Sequence, residues 1–310
     1  MSNWTNRTVE GDVVRERISR HLLMAVLLVV AGLAGCAAPQ PHDTSSPAPA
    51  VEPTLSEQDI PVIRTEYVYS DHRQAPVQLY LAYPGALEST ADLPMVLYLH
   101  GRDGVHPTPI PYDTLASLER LYREDSIPAF GFAVVDGGYN PYWNDGSANG
   151  DLAALLHDEL PRWLQERGMG DLDGRPFAVA GISTGGFGAL NYAADRNLAG
   201  HPVAAVAAVA PALQVSWEGM REKEAFATEE DWSAVDPLRR LGDLGDVPVG
   251  VWTGDEDPFL EGINRLVDEY PHTPVVSVLP GGHDPSVFEA IGPDFVTFLA
   301  YALGSLDADE

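Results

Sequence analysis

A single cysteine, Cys36, and a single lysine, Lys223, occur among the 310 residues. One cysteine excludes an intrachain disulfide and any multi-cysteine metal site. Basic side chains are scarce altogether: 18 Lys and Arg face 46 Asp and Glu, giving a net charge of −28. Such a surface repels phosphate backbones, which argues against nucleic acid as a partner. It also repels anionic lipid headgroups, so any membrane attachment must use something other than a basic patch. An acidic surface of this kind fits high-GC coding and salty surroundings. No internal repeat is present. What remains is an ordinary folded composition, 45% hydrophobic and 21% charged, which excludes wholesale disorder.

The N-terminal region reads as an address. Arg15, Arg17 and Arg20 precede an apolar run over 22–34, interrupted only by Gly32. Its 13 residues fall short of the ~20 a spanning helix needs and suit a signal-peptide core. The run ends Leu33-Ala34-Gly35-Cys36, which resembles the bacterial lipobox, where small residues precede a cysteine that is lipidated and becomes the mature N-terminus. Residues 1–35 are therefore expected to be a lipoprotein signal peptide, with Cys36 the lipidation site. A translation start near Val13 or Val14 would give that leader its usual length. Pro39, Pro41, Pro47, Pro49 and Pro53 make 36–60 an extended tether. The chain is then anchored to a membrane by lipid on its outer side, without spanning it. One domain is expected over 61–304, followed by an acidic tail at 305–310.

In that domain short apolar runs alternate with helical patterns, which predicts an α/β fold with a largely parallel sheet. Residues 62–69 and 77–83 alternate like antiparallel edge strands. Strands are expected at 95–99, 130–135, 177–180, 203–209, 247–253 and 275–279. Helices are expected at 151–167, 185–196, 258–270 and 285–303, with helical pieces in the polar stretch 217–246.

The chemistry centres on Gly181-Ile182-Ser183-Thr184-Gly185. As a bare G-x-S-x-G pattern it is weak in a chain with 29 glycines. Its setting, a strand leading in and a glycine-rich helix leading out, is what a nucleophile elbow requires. A serine hydroxyl needs a base near neutral pH. Of the nine histidines, His283 stands apart in Pro280-Gly281-Gly282-His283-Asp284, between the last strand and the last helix. The acid that orients it should follow the preceding strand, where both Asp255 and Asp257 are available. Two backbone N–H groups should bind the oxyanion. One belongs to Thr184; the other lies in His100-Gly101-Arg102-Asp103-Gly104, at Arg102 or Gly101. His100 and His106 lack an apparent third metal ligand, so a structural or gating role is expected of them and no metal site.

Together these motifs resemble the esterase D-type α/β-hydrolases, a group of S-formylglutathione hydrolases, feruloyl and acetylxylan esterases and mycolyltransferases. The likeness runs from about Val62 to Leu303. It is carried by Leu99-His100-Gly101, Asp136-Gly137-Gly138 with Trp143, 181–190, Gly254-Asp255-Glu256-Asp257-Pro258-Phe259 and Gly281-Gly282-His283-Asp284. The resemblance implies an α/β-hydrolase fold, a mostly parallel sheet flanked by helices on both faces. It points to Asp257 as the acid and to Arg102 as the second oxyanion donor. Thr184 stands where many members carry Met or Leu, a departure that touches pocket packing and leaves the backbone donor intact. The implied activity is hydrolysis of a small-molecule or glycan-linked ester through an acyl-serine, with no cofactor. Acyl transfer of the mycolyltransferase kind is the alternative, and a non-catalytic lipoprotein on the same scaffold a third. Trp143 and Tyr139 are candidate substrate-binding residues. For Trp143 a core position is an equal alternative; for Tyr139, Tyr142, Trp217, Met220 and Trp232 core positions are favoured.

Overall fold

The computed structural model describes residues 61–104 and 109–306. The leader, the tether with Cys36, His106 and residues 307–310 lie outside the described residues.

Among the described residues eight strands form one sheet in the order β1-β2-β4-β3-β5-β6-β7-β8. β1 (Val62–Ser70) and β2 (Ala75–Tyr83) pair antiparallel, and β2 joins β4 (Gly131–Val135) antiparallel as well. From there the sheet is parallel through β3 (Met95–Leu99), β5 (Ala178–Ile182), β6 (Ala205–Val209), β7 (Val249–Gly254) and β8 (Val275–Leu279). β3, β4 and β6 are buried along their whole length. That explains why they read as unbroken apolar runs, since both faces of a parallel strand are covered.

The pleat sorts side chains between two cores. Met95, Leu97 and Leu99 face one; Val96 and Tyr98 face the other. On the Tyr98 side, Leu115 and Leu118 of α1 (Tyr112–Arg123) pack with Ile291, which follows α8 (Pro285–Ala290), and with Phe295 and Leu299 of α9 (Gly292–Leu306). On the Leu97 side lie α2 (Leu152–Ala154), α3 (Leu160–Gln165) and α4 (Thr184–Leu198). The short α5 (Trp217–Arg221) and α6 (Glu229–Val235) join them there, as does α7 (Leu260–Glu269).

Three local features depart from the expected pattern. α1 was not expected; it starts after Pro111 and buries Leu115 and Leu118. The helix over 151–167 is divided by a π-turn, Leu155–Glu159. Pro161 has no N–H to offer the His157 carbonyl and its ring would strike it, so the wider turn accommodates the proline. The same turn places Glu159 in the core, where it accepts bonds from Ser70 Oγ at 2.6 Å and the Asp71 N–H at 2.7 Å. The final helix breaks at Ile291, because Pro293 cannot continue α8 but can open α9. A Cβ on Gly292 would meet the Asp113 carbonyl oxygen at 2.5 Å, so the backbones of α9 and α1 approach closely at this break. Among the described residues no helix is long and apolar enough to cross a membrane.

Candidate active site

The loops at the carboxyl ends of β3, β4, β5, β7 and β8 carry the residues singled out by sequence, the edge where open α/β sheets present their sites. Ser183 follows β5 directly. Its backbone sits at φ 57°, ψ −117°, a strained conformation for a residue with a Cβ. The strain is held on both sides: the Ser183 N–H donates to Val209 O at 2.8 Å, and its carbonyl accepts from Ala212 N at 2.9 Å. The flanking glycines allow this close turn. A Cβ on Gly181 would collide with the Gly185 carbonyl, and one on Gly185 with the Leu99 carbonyl. Gly185→Ala is therefore expected to lower the melting temperature sharply and to leave little activity, which thermal unfolding beside an ester assay will check; overpacking alone costs about 1–3 kcal/mol.

His283 Nε2 lies 2.8 Å from Ser183 Oγ, and His283 Nδ1 lies 2.8 Å from Asp257 Oδ2. The Asp257 side chain is wholly buried, and its second oxygen accepts the Phe259 N–H at 2.8 Å. The imidazole stands edge-on to Phe259 at 5.2 Å and to Phe288 at 5.3 Å, which fixes its plane. Asp255 is occupied elsewhere. Its Oδ1 accepts the Gly281 N–H at 2.9 Å, and the Glu256 N–H donates back to Gly281 O at 2.8 Å. The two loops are thus fastened together, with Asp255 as a clasp and Asp257 against the imidazole.

Thr184 opens α4, so its N–H is one of the helix's donors without an intrahelical acceptor. Its hydroxyl is buried with no partner among the described residues. Opposite lies the loop after β3. A Cβ on Gly101 would touch Ser183 Cβ at 3.4 Å, so this loop abuts Ser183. His100 controls its orientation: Nδ1 donates to Gly101 O at 2.7 Å while Nε2 accepts the Gly137 N–H at 2.8 Å. Carbonyl and N–H of one trans peptide point opposite ways, so the bond from His100 turns the Arg102 N–H away from the imidazole. Burial pushes the His100 pKa down and favours the neutral tautomer that both bonds require. With both nitrogens engaged, His100 is a strut and not a metal ligand.

The depressed His100 pKa has a sign for stability. Below about pH 6.5 the unfolded chain takes up a proton that the folded chain refuses, so stability falls as pH falls. The melting temperature is expected to decline from pH 8 to pH 5, and less steeply in His100→Asn.

Trp143, placed by sequence at a pocket or in the core, is 3% exposed and backs this strut. Its indole N–H donates to the His100 carbonyl at 3.3 Å, and its ring meets the imidazole at 4.9 Å. Cβ atoms on Gly137 and Gly188 would strike the indole at 2.7 and 2.6 Å. Tyr142, Met220 and Trp232 are core residues and Trp217 is half-buried. Tyr139 is not in the core: it is 68% exposed, on the loop after β4. The sequence does not reveal the backbone of this loop, where Asn140, Tyr142 and Trp143 all adopt positive φ (52°, 38° and 58°). That conformation is costly for bulky side chains and concentrates where a site is being shaped.

The chain belongs to the esterase family, whose model matches residues 72–268. That span holds Ser183 and Asp257 and stops short of His283. Among solved structures, a ferulic acid esterase is 20% identical with a TM-score of 0.64, the match covering 78% of this chain and 99% of that one. An S-formylglutathione hydrolase from Agrobacterium tumefaciens is 14% identical with a TM-score of 0.64, over 81% and 98%. A fluorophosphonate-binding serine hydrolase from Staphylococcus aureus is 16% identical with a TM-score of 0.57, over 78% and 99%. At these identities the likeness speaks for the fold, which is that of the α/β-hydrolases. No curated protein sequence matches the chain. Family membership makes it an enzyme acting on esters, and sets aside the non-catalytic scaffold.

Proposed function

We propose that Ser183, His283 and Asp257 form the catalytic triad of a lipid-anchored extracytoplasmic serine esterase. The observation that carries this reading is the unbroken chain of two 2.8 Å contacts from Ser183 Oγ through the imidazole to a buried carboxylate. His283 takes the hydroxyl proton as Ser183 attacks the ester carbonyl, and Asp257 stabilises the imidazolium. The Thr184 and Arg102 N–H groups receive the negative oxygen, each such donor contributing about 3 kcal/mol to the transition state. His283 returns the proton to the leaving alcohol, and water resolves the acyl-serine by the same path. The substrate is a small-molecule or glycan-linked ester.

Hydrolysis of p-nitrophenyl esters of increasing chain length tests the reaction, together with fluorophosphonate labelling mapped by peptide mass. Turnover and a label on Ser183 are expected. A label on another residue, or none, would overturn the assignment.

The anchor rests on the lipobox-like sequence ending at Cys36 and the proline-rich tether behind it. Cys36→Ser is expected to shift the protein from the membrane to the soluble fraction with its turnover intact. A variant that stays with the membrane would mean that 22–34 is itself the anchor.

A further inference from the structure

We propose that the ester this enzyme takes carries an anionic group, a carboxylate or phosphate, read at the mouth of the site by Lys223 and by the Arg102 side chain. The inference rests on the serine-esterase reading and narrows its substrate class.

Lys223 is the chain's sole lysine, and the fold fixes it beside the reacting groups. Its N–H donates to Met220 O at 2.9 Å, and its carbonyl accepts from Asn140 Nδ2 at 2.9 Å. Its ammonium sits over the Phe259 ring, 5.3 Å from the centroid. Phe259 in turn lies 5.2 Å from the His283 ring, so the two distances end to end keep the ammonium within 10.5 Å of the catalytic imidazole. Arg102 approaches from the other loop, next to the glycine that abuts Ser183. Asn140 joins the two cations' backbones, because its own N–H donates to Arg102 O at 2.8 Å.

Neither group is committed to an acid. Acids outnumber bases 46 to 18, yet among the described residues neither Lys223 nor Arg102 forms an ion pair or a side-chain hydrogen bond. Arg64, Arg120, Arg167, Arg175, Arg239, Arg240 and Arg265 all pair with carboxylates. Among the described residues the exposed Arg162 and Arg221 also make no ion pair, but neither is tied to the loops around Ser183 as Lys223 and Arg102 are. The acids adjacent in sequence, Asp103, Glu222 and Glu224, are exposed and make no ion pair with either cation. A chain of charge −28 repels an anionic substrate at long range, so cations close to Ser183 are what would retain one there. The four-carbon stem of Lys223 lets the ammonium turn from the aromatic face to an incoming anion.

The test compares kcat/KM for matched esters with the full-length protein. One arm places the anion on the acyl half, as the p-nitrophenyl monoester of glutarate against p-nitrophenyl valerate. The other places it on the alcohol half, as 4-acetoxybenzoate against phenyl acetate. In at least one arm the anionic-to-neutral ratio is expected to fall roughly tenfold in Lys223→Gln, the scale of a charged hydrogen bond. Lys223→Arg should restore it, Arg102→Gln should lower it further, and added salt should lower it in the wild type. The arm that responds identifies which half carries the anion. Ratios unchanged in both arms, or lost equally in Lys223→Arg, would overturn the proposal while Ser183-dependent turnover of the neutral esters leaves the esterase reading standing. No turnover of any ester and no fluorophosphonate label would sink that reading, and this one with it.

Discussion

Ser183→Ala is expected to lower kcat for a simple ester by about 10⁶ with the melting temperature preserved or raised. The size follows from what the hydroxyl does. Without Oγ there is no covalent intermediate, and only oxyanion stabilisation and binding remain. The effect on stability follows from the backbone. Ser183 is held at φ 57° by bonds to Val209 and Ala212 that use main-chain atoms alone, and alanine keeps them all. The change removes only the bond from Oγ to His283 Nε2. Activity and thermal unfolding measured on one preparation separate the two effects. A variant that unfolds early would make Ser183 part of the elbow's architecture, and a variant that still turns over would place the nucleophile elsewhere.

The candidate site was legible from sequence wherever its geometry is local. The elbow is five consecutive residues whose glycines answer to contacts within the turn and to the neighbouring strand. His283 sits in a loop whose Pro-Gly-Gly composition already states a tight turn. The choice between Asp255 and Asp257 was not local, since both follow the same strand. Residue types alone left it open, and only the family pattern pointed to one. The structure supplies a reason in the Gly281 N–H, which engages Asp255. Equally hidden were the relations made between distant segments. Glu159 is buried because Ser70, 89 positions away, and the Asp71 N–H receive it. His100 is a strut because Gly137 happens to lie 2.8 Å from its Nε2. The positive φ values at Tyr142 and Trp143 contradict each residue's own preference. Propensity cannot forecast a conformation that packing imposes.

Asp257→Asn is expected to cost about 10⁴ in turnover, by analogy with the wrong-tautomer effect in other triads. The hydrogen bonds around Asp257 determine which tautomer results. Oδ1 accepts the Phe259 N–H and Oδ2 accepts from His283 Nδ1. After the substitution only the carboxamide oxygen can face Phe259, since an NH₂ group cannot accept. The NH₂ must then face the imidazole, where it donates to Nδ1 and drives the ring proton to Nε2. A protonated Nε2 cannot take the proton of Ser183, and so the base is lost while packing is kept. Asp255→Asn behaves differently. Its oxygen still accepts the Gly281 N–H, so the clasp survives and turnover should change by less than about tenfold, the scale of one neutral hydrogen bond. Measuring kcat against pH for both variants tests this directly. A loss of about 10⁴ in Asp255→Asn with little effect in Asp257→Asn would reverse the assignment. The expected order instead makes one aspartate the partner of the base and the other the fastening of its loop.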